Sequence, residues 1–128
     1  MAERSSPKQK LLCIADILMK KTDEYHPLMA EEIVSELQKR GISAERKSVC
    51  ADIRELSDFG MDILKTRSTK SGFYLVSRDW DPVEIRLLCD AVLSAEFITG
   101  QKSRELVENL CRSLSESQGA EIKSQLFI

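Results

Sequence analysis

The stretch at residues 41–60, GISAERKSVCADIRELSDFG, decides the fold because it encodes one short helix with two unlike faces. Three apolar residues recur at helical spacing and form a single stripe: Val49, Ile53 and Leu56. Ser43 stands where the N-cap of this helix is expected, and Gly60 stands where a helix commonly ends. We therefore expect a helix over residues 45–58.

The side of this helix opposite the apolar stripe carries charged and small residues. At helical spacing it holds Lys47, Ala51, Arg54 and Asp58, and near its start Arg46, Ser48 and Cys50 lie beside them. A helix with a cationic N-terminal half built from small residues fits the major groove of DNA. Alone, the pattern indicates only an amphipathic helix. Whether the helix belongs to a DNA-binding fold depends on the flanking sequence.

Composition limits the class of protein. The 128 residues have room for one ordinary domain, or for a small domain with an appendage, and they are 42% hydrophobic and 31% charged. The net charge of -2 argues against a generally basic protein, but it is compatible with a local basic surface. No apolar run is long enough to span a membrane and the polar start is not a secretory signal, so we expect a cytoplasmic protein.

Cysteine and histidine usage indicates neither a metal site nor a catalytic site. Cys13, Cys50, Cys89 and Cys111 are widely spaced and fit buried thiols in a reducing compartment, and His26 is the single histidine. The sequence shows no pairing of a nucleophile with a base and no glycine loop that would cradle a phosphate. We therefore expect no enzyme, no catalytic residues and no cofactor.

The segments before residue 41 predict two helices. One is expected from about Pro7 to Lys21, because proline suits a first turn and lysine a last turn. The second is expected from about Met29 to Arg40, with Gly41 ending it. A link of only about four residues then leads into the helix at 45–58, and this arrangement matches a helix-turn-helix.

The segment after Gly60 predicts a β-hairpin, with strands near 61–65 and 73–76 and a polar tip between them. No acidic residue occurs from residue 63 to residue 78, whereas four cations do: Lys65, Arg67, Lys70 and Arg78. An ordinary solvated hairpin is the simple interpretation. Directly after a helix-turn-helix, however, a basic hairpin is expected as a wing, with residues 65–72 on the DNA backbone or in the minor groove.

The last third of the chain predicts a helical extension. Asp81, Pro82 and Glu84 mark the start of a helix that is expected to run to about Ile98. Another helix is expected over residues 102–114, followed by a linker, SESQGAE. The apolar ending, Leu-Phe-Ile, suggests a fragment of a longer protein, and the alternative is a tail docked on the core or on a dimer mate.

Taken in order, these segments resemble the N-terminal part of bacterial WYL-domain transcriptional regulators, which carry a DeoR-like winged helix-turn-helix. The resemblance covers nearly all the residues. It runs through KLLCIADIL, TDEYHPLMAEEIVSEL, ERKSVCADIREL, the wing ending GFYL, and WDPVEIRLLCDAVLSAEFIT. It implies a homodimer that binds double-stranded DNA, and a C-terminal domain, absent from this sequence, that senses an effector ligand such as a nucleic acid or nucleotide.

Within the recognition stretch the resemblance places Arg46, Lys47, Ser48 and Arg54 at DNA. Asp52, Ile53 and Leu56 match the family pattern D-I-x-x-L, in which the isoleucine and the leucine belong to the core. The chain departs from similar regulators at Cys50 and Ala51, where an aromatic and a basic residue are common. This departure shifts the expected reading of bases to Lys47 and Arg54.

The sequence thus predicts a mainly α fold with a small β-hairpin, a winged helix-turn-helix followed by a two-helix extension. The expected domains are a DNA-binding domain at 1–78 and an extension at 79–128. The predicted DNA contacts are Arg46, Lys47, Ser48, Arg54, Lys65, Arg67 and Lys70. The alternative function is a winged-helix module for protein–protein interaction or dimerisation that does not bind DNA.

Overall fold

A computed structural model describes residues 6–66, 71–76 and 78–127. The chain divides into two compact units, Met1–Ser77 and Arg78–Ile128, called here the first and the second unit. The mainly helical fold with one small hairpin is confirmed. The first unit contains α1 (Pro7–Lys21), α2 (Ala30–Lys39), α3 (Arg46–Phe59), β1 (Ile63–Lys65) and β2 (Phe73–Leu75), and the second contains α4 (Pro82–Ser94), α5 (Gly100–Cys111) and α6 (Glu116–Leu126).

Helix α1 has the bounds that the sequence predicts, and local chemistry explains both ends. Ser6 is its N-cap: the Ser6 hydroxyl accepts a hydrogen bond from the Gln9 amide at 3.1 Å, and the Gln9 side chain accepts one from the Ser6 amide at 3.3 Å. This reciprocal capping box satisfies two amides that have no partner inside the helix. Lys20 and Lys21 lie in the last turn, where cations interact favourably with the helix dipole.

The core of the first unit lies where the three helices α1, α2 and α3 pack on one another. Each helix contributes apolar residues at helical spacing, and one further residue comes from the turn between α2 and α3. The buried set is Ile14, Ile17, Leu18, Ile33, Leu37, Ile42, Val49, Ile53 and Leu56. The predicted apolar stripe of residues 49, 53 and 56 is therefore confirmed as the inward side of α3.

The prediction that Ser43 caps α3 is wrong, because α3 begins only at Arg46 and its N-cap is Glu45. Helix α2 ends at Lys39, and Gly41, two residues later, is left-handed with a φ of 81°. The amide of Ile42 donates back to the carbonyl of Leu37 at 2.9 Å. Ile42 is then drawn into the core, with 6% of its surface exposed. Burial of Ile42 delays the start of the next helix, and it leaves Ser43 exposed in the turn.

Strands β1 and β2 form an antiparallel hairpin in which Ile63, Leu64 and Lys65 face Leu75, Tyr74 and Phe73 respectively. The hairpin is tied to the helices at two points. Phe73 pairs with Leu28 through two backbone hydrogen bonds of 3.0 Å and 2.7 Å. In addition, the Leu75 amide donates to the hydroxyl of Thr22, which is fully buried, at 3.0 Å.

Helix α4 begins as predicted, but it ends earlier. Asp81 and Glu84 form a capping box with bonds of 2.8 Å and 3.0 Å, and Pro82 is the first helical residue. The helix stops at Ser94, not at about Ile98, because the backbone of Ala95 is extended. Residues 95–99 form the link to α5, which begins at Gly100 and ends at Cys111, earlier at both ends than predicted, and which has Thr99 as its N-cap.

The segment predicted as a linker is instead the start of α6, a third helix in the second unit. Ser115 caps it, and Ser115 and Gln118 form a reciprocal capping box. Gly119, which reads as linker composition, lies inside the helix, where a Cβ would come within 3.3 Å of Cys111 Cβ. The glycine therefore permits close packing of α6 against the end of α5.

The core of the second unit is formed by Ile85, Cys89, Val107, Cys111, Leu114 and Ile122. Both of its cysteines are buried, as the sequence predicts, whereas Cys13 and Cys50 of the first unit are only partly buried. Burial raises the pKa of the Cys89 thiol to about 11, and it also raises the pKa of Cys111. Both groups are therefore neutral thiols at pH 7 and pack as small apolar side chains.

Within the described ranges, no helix combines the length and the apolar composition needed to cross a membrane.

We expect Gly72→Ala to destabilise the first unit by about 1–3 kcal/mol, because the new Cβ would be overpacked. It would lie 2.9 Å from Pro27 Cβ and 3.2 Å from the backbone of Leu28, at the point where the hairpin is tied to the loop before α2. Amide hydrogen exchange, followed by NMR, reports the stability of each unit separately.

Gly100→Ala is the matched control, since a Cβ there meets no atom within 4 Å. It should change stability by less than about 1 kcal/mol. Equal and small effects of the two substitutions would contradict the close contact at Gly72.

Candidate nucleic-acid interface

The exposed side of α3 brings together Lys47, Ala51 and Arg54. Because each helical residue turns the chain by about 100°, these three positions lie within about 60° of one another on the helix surface. They are opposite the buried Val49 and Ile53, and all three are exposed. The structure thus places the two cations on one surface with a small residue between them.

Lys47 and Arg54 have no ion-pair or hydrogen-bond partner in the described part of the chain. Both charges are therefore open to an external anion, and the exposed carboxylate of Asp58 lies on the same side of α3, one turn beyond Arg54. Arg46 differs, since its Nε lies 3.1 Å from Glu31 Oε1 on α2. The two side chains of that pair are 69% and 59% exposed, so the pair contributes little and can exchange for a phosphate.

Ser48 does not lie on the same surface as Lys47 and Arg54. Its hydroxyl accepts a hydrogen bond from Lys10 Nζ on α1. The same ammonium lies 2.5 Å from Asp52 Oδ2, one turn further along α3. Ser48 and Asp52 therefore mark the flank of α3 that faces α1, whereas Arg46 marks the flank that faces α2.

The hairpin supplies one described cation to the candidate interface. Lys65 is exposed at the end of β1, and its ammonium lies 5.4 Å from the centre of the Phe73 ring on the opposite strand. This contact holds the Lys65 side chain along the hairpin. The other two predicted wing residues, Arg67 and Lys70, lie outside the described residues.

Several cations of the first unit are committed to internal partners. Asp16 on α1 lies 2.8 Å from Arg40 and 3.3 Å from Lys20. Burial opposes the ionisation of Asp16, but these two partners outweigh it and hold its pKa below the ordinary value. Burial likewise opposes the charge of Arg40, but Asp16 raises its pKa above the ordinary value.

The formal charges divide unequally between the two units. Residues 1–77 contain thirteen Lys and Arg against twelve Asp and Glu, whereas residues 78–128 contain six against nine. The net negative charge of the chain therefore belongs to the second unit. The first unit is slightly cationic, and its described cations without an ion-pair or hydrogen-bond partner include Lys47 and Arg54 on α3 and Lys65 on β1.

Sequence reasoning missed Lys10, although a signal was present. Lys10 precedes Ile14 by four residues and so occupies the apolar stripe of α1, where a charged residue needs a buried partner. Its partner Asp52 was noticed only as part of the pattern D-I-x-x-L. The pair joins α1 to α3 close to the surface that carries Lys47 and Arg54.

Comparison with known proteins gives no match: no protein-family model, curated protein or solved structure matches this chain. The resemblance to WYL-domain regulators therefore stays a prediction from the sequence.

Proposed function

We propose that this chain is the DNA-binding part of a sequence-specific transcriptional regulator, acting in the bacterial cytoplasm. Helix α3 enters the major groove, and the hairpin lies on the adjacent backbone or minor groove. One observation carries the proposal: Lys47 and Arg54 are exposed and unpaired on one side of a helix that follows a short turn after α2. The resemblance to WYL-domain regulators points in the same direction.

The exposed cations of α3 divide by position into base-reading and phosphate-binding groups. Arg54 and Lys47 extend from the surface that faces away from the core, so they reach base edges, where guanine accepts hydrogen bonds from both residue types. Arg46 lies at the start of the helix and binds phosphate after releasing Glu31. The Ser48 hydroxyl accepts from Lys10, and it keeps its own proton to donate to a phosphate oxygen.

The hairpin contacts are sequence-independent in this proposal. Lys65 is held along the hairpin by its contact with Phe73, and it binds a backbone phosphate. Arg67 and Lys70, predicted at the tip, extend the same contact. The wing therefore contributes affinity and the orientation of α3, whereas α3 contributes the discrimination between bases.

A homodimer completes the proposal, because two copies of α3 read two half-sites about one DNA turn apart, or a multiple of it. The second unit is the part that suits dimerisation. It is acidic, which disfavours contact with DNA, and α4 exposes Val83 (69%) and Leu87 (64%) one turn apart. An exposed apolar helix side of this kind is typical of a protein–protein contact.

We expect Arg54→Ala and Lys65→Ala to weaken DNA binding in two different ways. Arg54→Ala should cost about 1–3 kcal/mol on DNA selected from a random duplex library and relax base preference at one position. Lys65→Ala should weaken binding to all sequences and lower the salt slope of log K by about 0.9. Fluorescence anisotropy titrations at several salt concentrations measure both quantities.

Lys102→Ala is the charge-matched control for these titrations, since Lys102 is an exposed cation of the second unit paired with Glu105 at 3.5 Å. It should leave affinity and salt slope unchanged. Identical behaviour of all three variants would show that α3 and the hairpin are not the contact surface.

We expect Leu87→Glu to convert the dimer to a monomer, because it places a charge in the centre of the proposed apolar contact. Sedimentation equilibrium measures the change. Leu64→Glu, on the 48% exposed Leu64 of β1, is the control and should leave the dimer intact. A wild-type chain that is monomeric at high concentration would contradict the dimer proposal without affecting the proposed DNA contact.

The alternative function, a protein-interaction module without DNA binding, is favoured by two exposed aromatic residues of the first unit. Phe59 at the end of α3 is 85% exposed and Tyr25 in the loop before α2 is 81% exposed. A gel shift with random genomic fragments at low salt separates the two functions. A protein with the proposed DNA interface shifts these fragments non-specifically, whereas the complete absence of a shift would favour the interaction module.

A further inference from the structure

A half-buried polar cluster joins α1 to α3 beside the apolar core of the first unit. Lys10 Nζ contacts the Ser48 hydroxyl and lies 2.5 Å from Asp52 Oδ2. The side chains of Lys10 and Asp52 are only 15% and 20% exposed. The Asp52 Oδ2 atom is shielded from solvent and makes no hydrogen bond among the described residues, so Lys10 holds it as an ion pair. The contrast with the exposed Arg46–Glu31 pair is large, so this cluster is not an ordinary surface ion pair.

Such a pair contributes more to the orientation of the helices that it joins than to the free energy of folding. Taking two charges out of water costs nearly as much as their attraction returns, so apolar residues of similar volume often replace a buried pair without loss of stability. Apolar contacts, by contrast, tolerate small rotations, because burial is not directional. Among the contacts described between α1 and α3, the Lys10 cluster is therefore the one that fixes the rotation of α3 about its own axis.

We infer that Lys10 and Asp52 are positioning residues for DNA recognition, and that they set the angle at which α3 presents Lys47 and Arg54. This inference rests on the proposed function. Asp52 and Arg54 lie about 200° apart around α3, so any rotation that releases Asp52 swings Arg54 by the same angle on the opposite side. At an outer helix radius of about 5–6 Å, a 20° rotation displaces a side chain by roughly 2 Å.

A displacement of that size is enough to break a base contact. Hydrogen bonds in proteins span donor–acceptor distances of only about 2.7–3.2 Å and weaken steeply when misaligned. Contacts of exposed lysine side chains with phosphate, in contrast, tolerate such a shift, because an unconfined lysine side chain bends or extends to follow the phosphate. Loss of the pair should therefore reduce binding to selected DNA more than binding to random DNA.

The test uses the full chain with the double substitution Lys10→Met/Asp52→Leu, which removes both charges and leaves the net charge unchanged. The probes are DNA duplexes enriched by the wild-type chain from a random library, and the unenriched library itself. We expect affinity for the enriched DNA to fall about tenfold, the effect of losing one good base contact. Affinity for the library, its salt slope and the thermal midpoint should stay at the wild-type values.

Lys39→Gln/Glu36→Gln is the matched control, because it removes an ion pair within α2, whose lysine is 72% and whose glutamate is 22% exposed, and also leaves the net charge unchanged. It should keep both affinities. An equal fall of both affinities in the Lys10/Asp52 variant, with the salt slope lower by about 0.9, would show that Lys10 binds phosphate directly and would overturn the positioning role. Unchanged affinity for enriched DNA would overturn it as well.

Asp52→Glu tests the positioning role if the double variant does not fold. It keeps the charge but lengthens the side chain by one methylene. The longer side chain should change the rotation of α3 about its own axis. Affinity for enriched DNA should fall while affinity for the library is retained, and full affinity for both would refute the inference. If the wild-type chain enriches no sequence but binds the library, or binds no DNA, the proposed function itself fails. These results are distinguishable from a failure of positioning.

Discussion

Val49, Ile53 and Leu56 anchor α3 against α1 and α2, and the exposed side of the first unit follows from that anchoring. Full burial of an aliphatic side chain of this size is worth about 1.5–3 kcal/mol, so the stripe decides which side of α3 faces the core. Once the stripe is buried, helical periodicity places Lys47 and Arg54 in solvent on the other side. The same burial that stabilises the unit therefore also produces the candidate interface.

Local signals were sufficient to predict most elements. The bounds of α1 follow from Pro7 and Lys21, and the start of α4 follows from Asp81, because a cap is satisfied by residues within one turn. Predictions failed where tertiary contacts decide. The late start of α3 depends on burial of Ile42. Gly119 occurs inside α6 because a larger side chain there would press against Cys111. Neither contact is visible in a local pattern.

The candidate site was predictable only in part, because local patterns show which residues are exposed but not which distant residues they contact. Periodicity predicts which residues of α3 are exposed, and the exposure of Lys47 and Arg54 agrees with it. Periodicity cannot predict which cations are neutralised, because the partners are distant in sequence. Arg46 meets Glu31 of α2, and Ser48 meets Lys10 of α1, so these two predicted DNA contacts have internal partners that Lys47 does not have.

The sparse surface of α3 constrains how such a protein achieves specificity. Cys50 and Ala51 offer neither a charge nor a strong hydrogen-bond donor, so under the proposed function one copy of α3 would read few bases, through Lys47 and Arg54. A small residue between two cations nevertheless lets the helix backbone approach the groove closely, and a correct angle of α3 then matters more than the number of contacts. Under the proposed function, DNA shape and the spacing of two half-sites in a dimer would add to the base discrimination by Lys47 and Arg54.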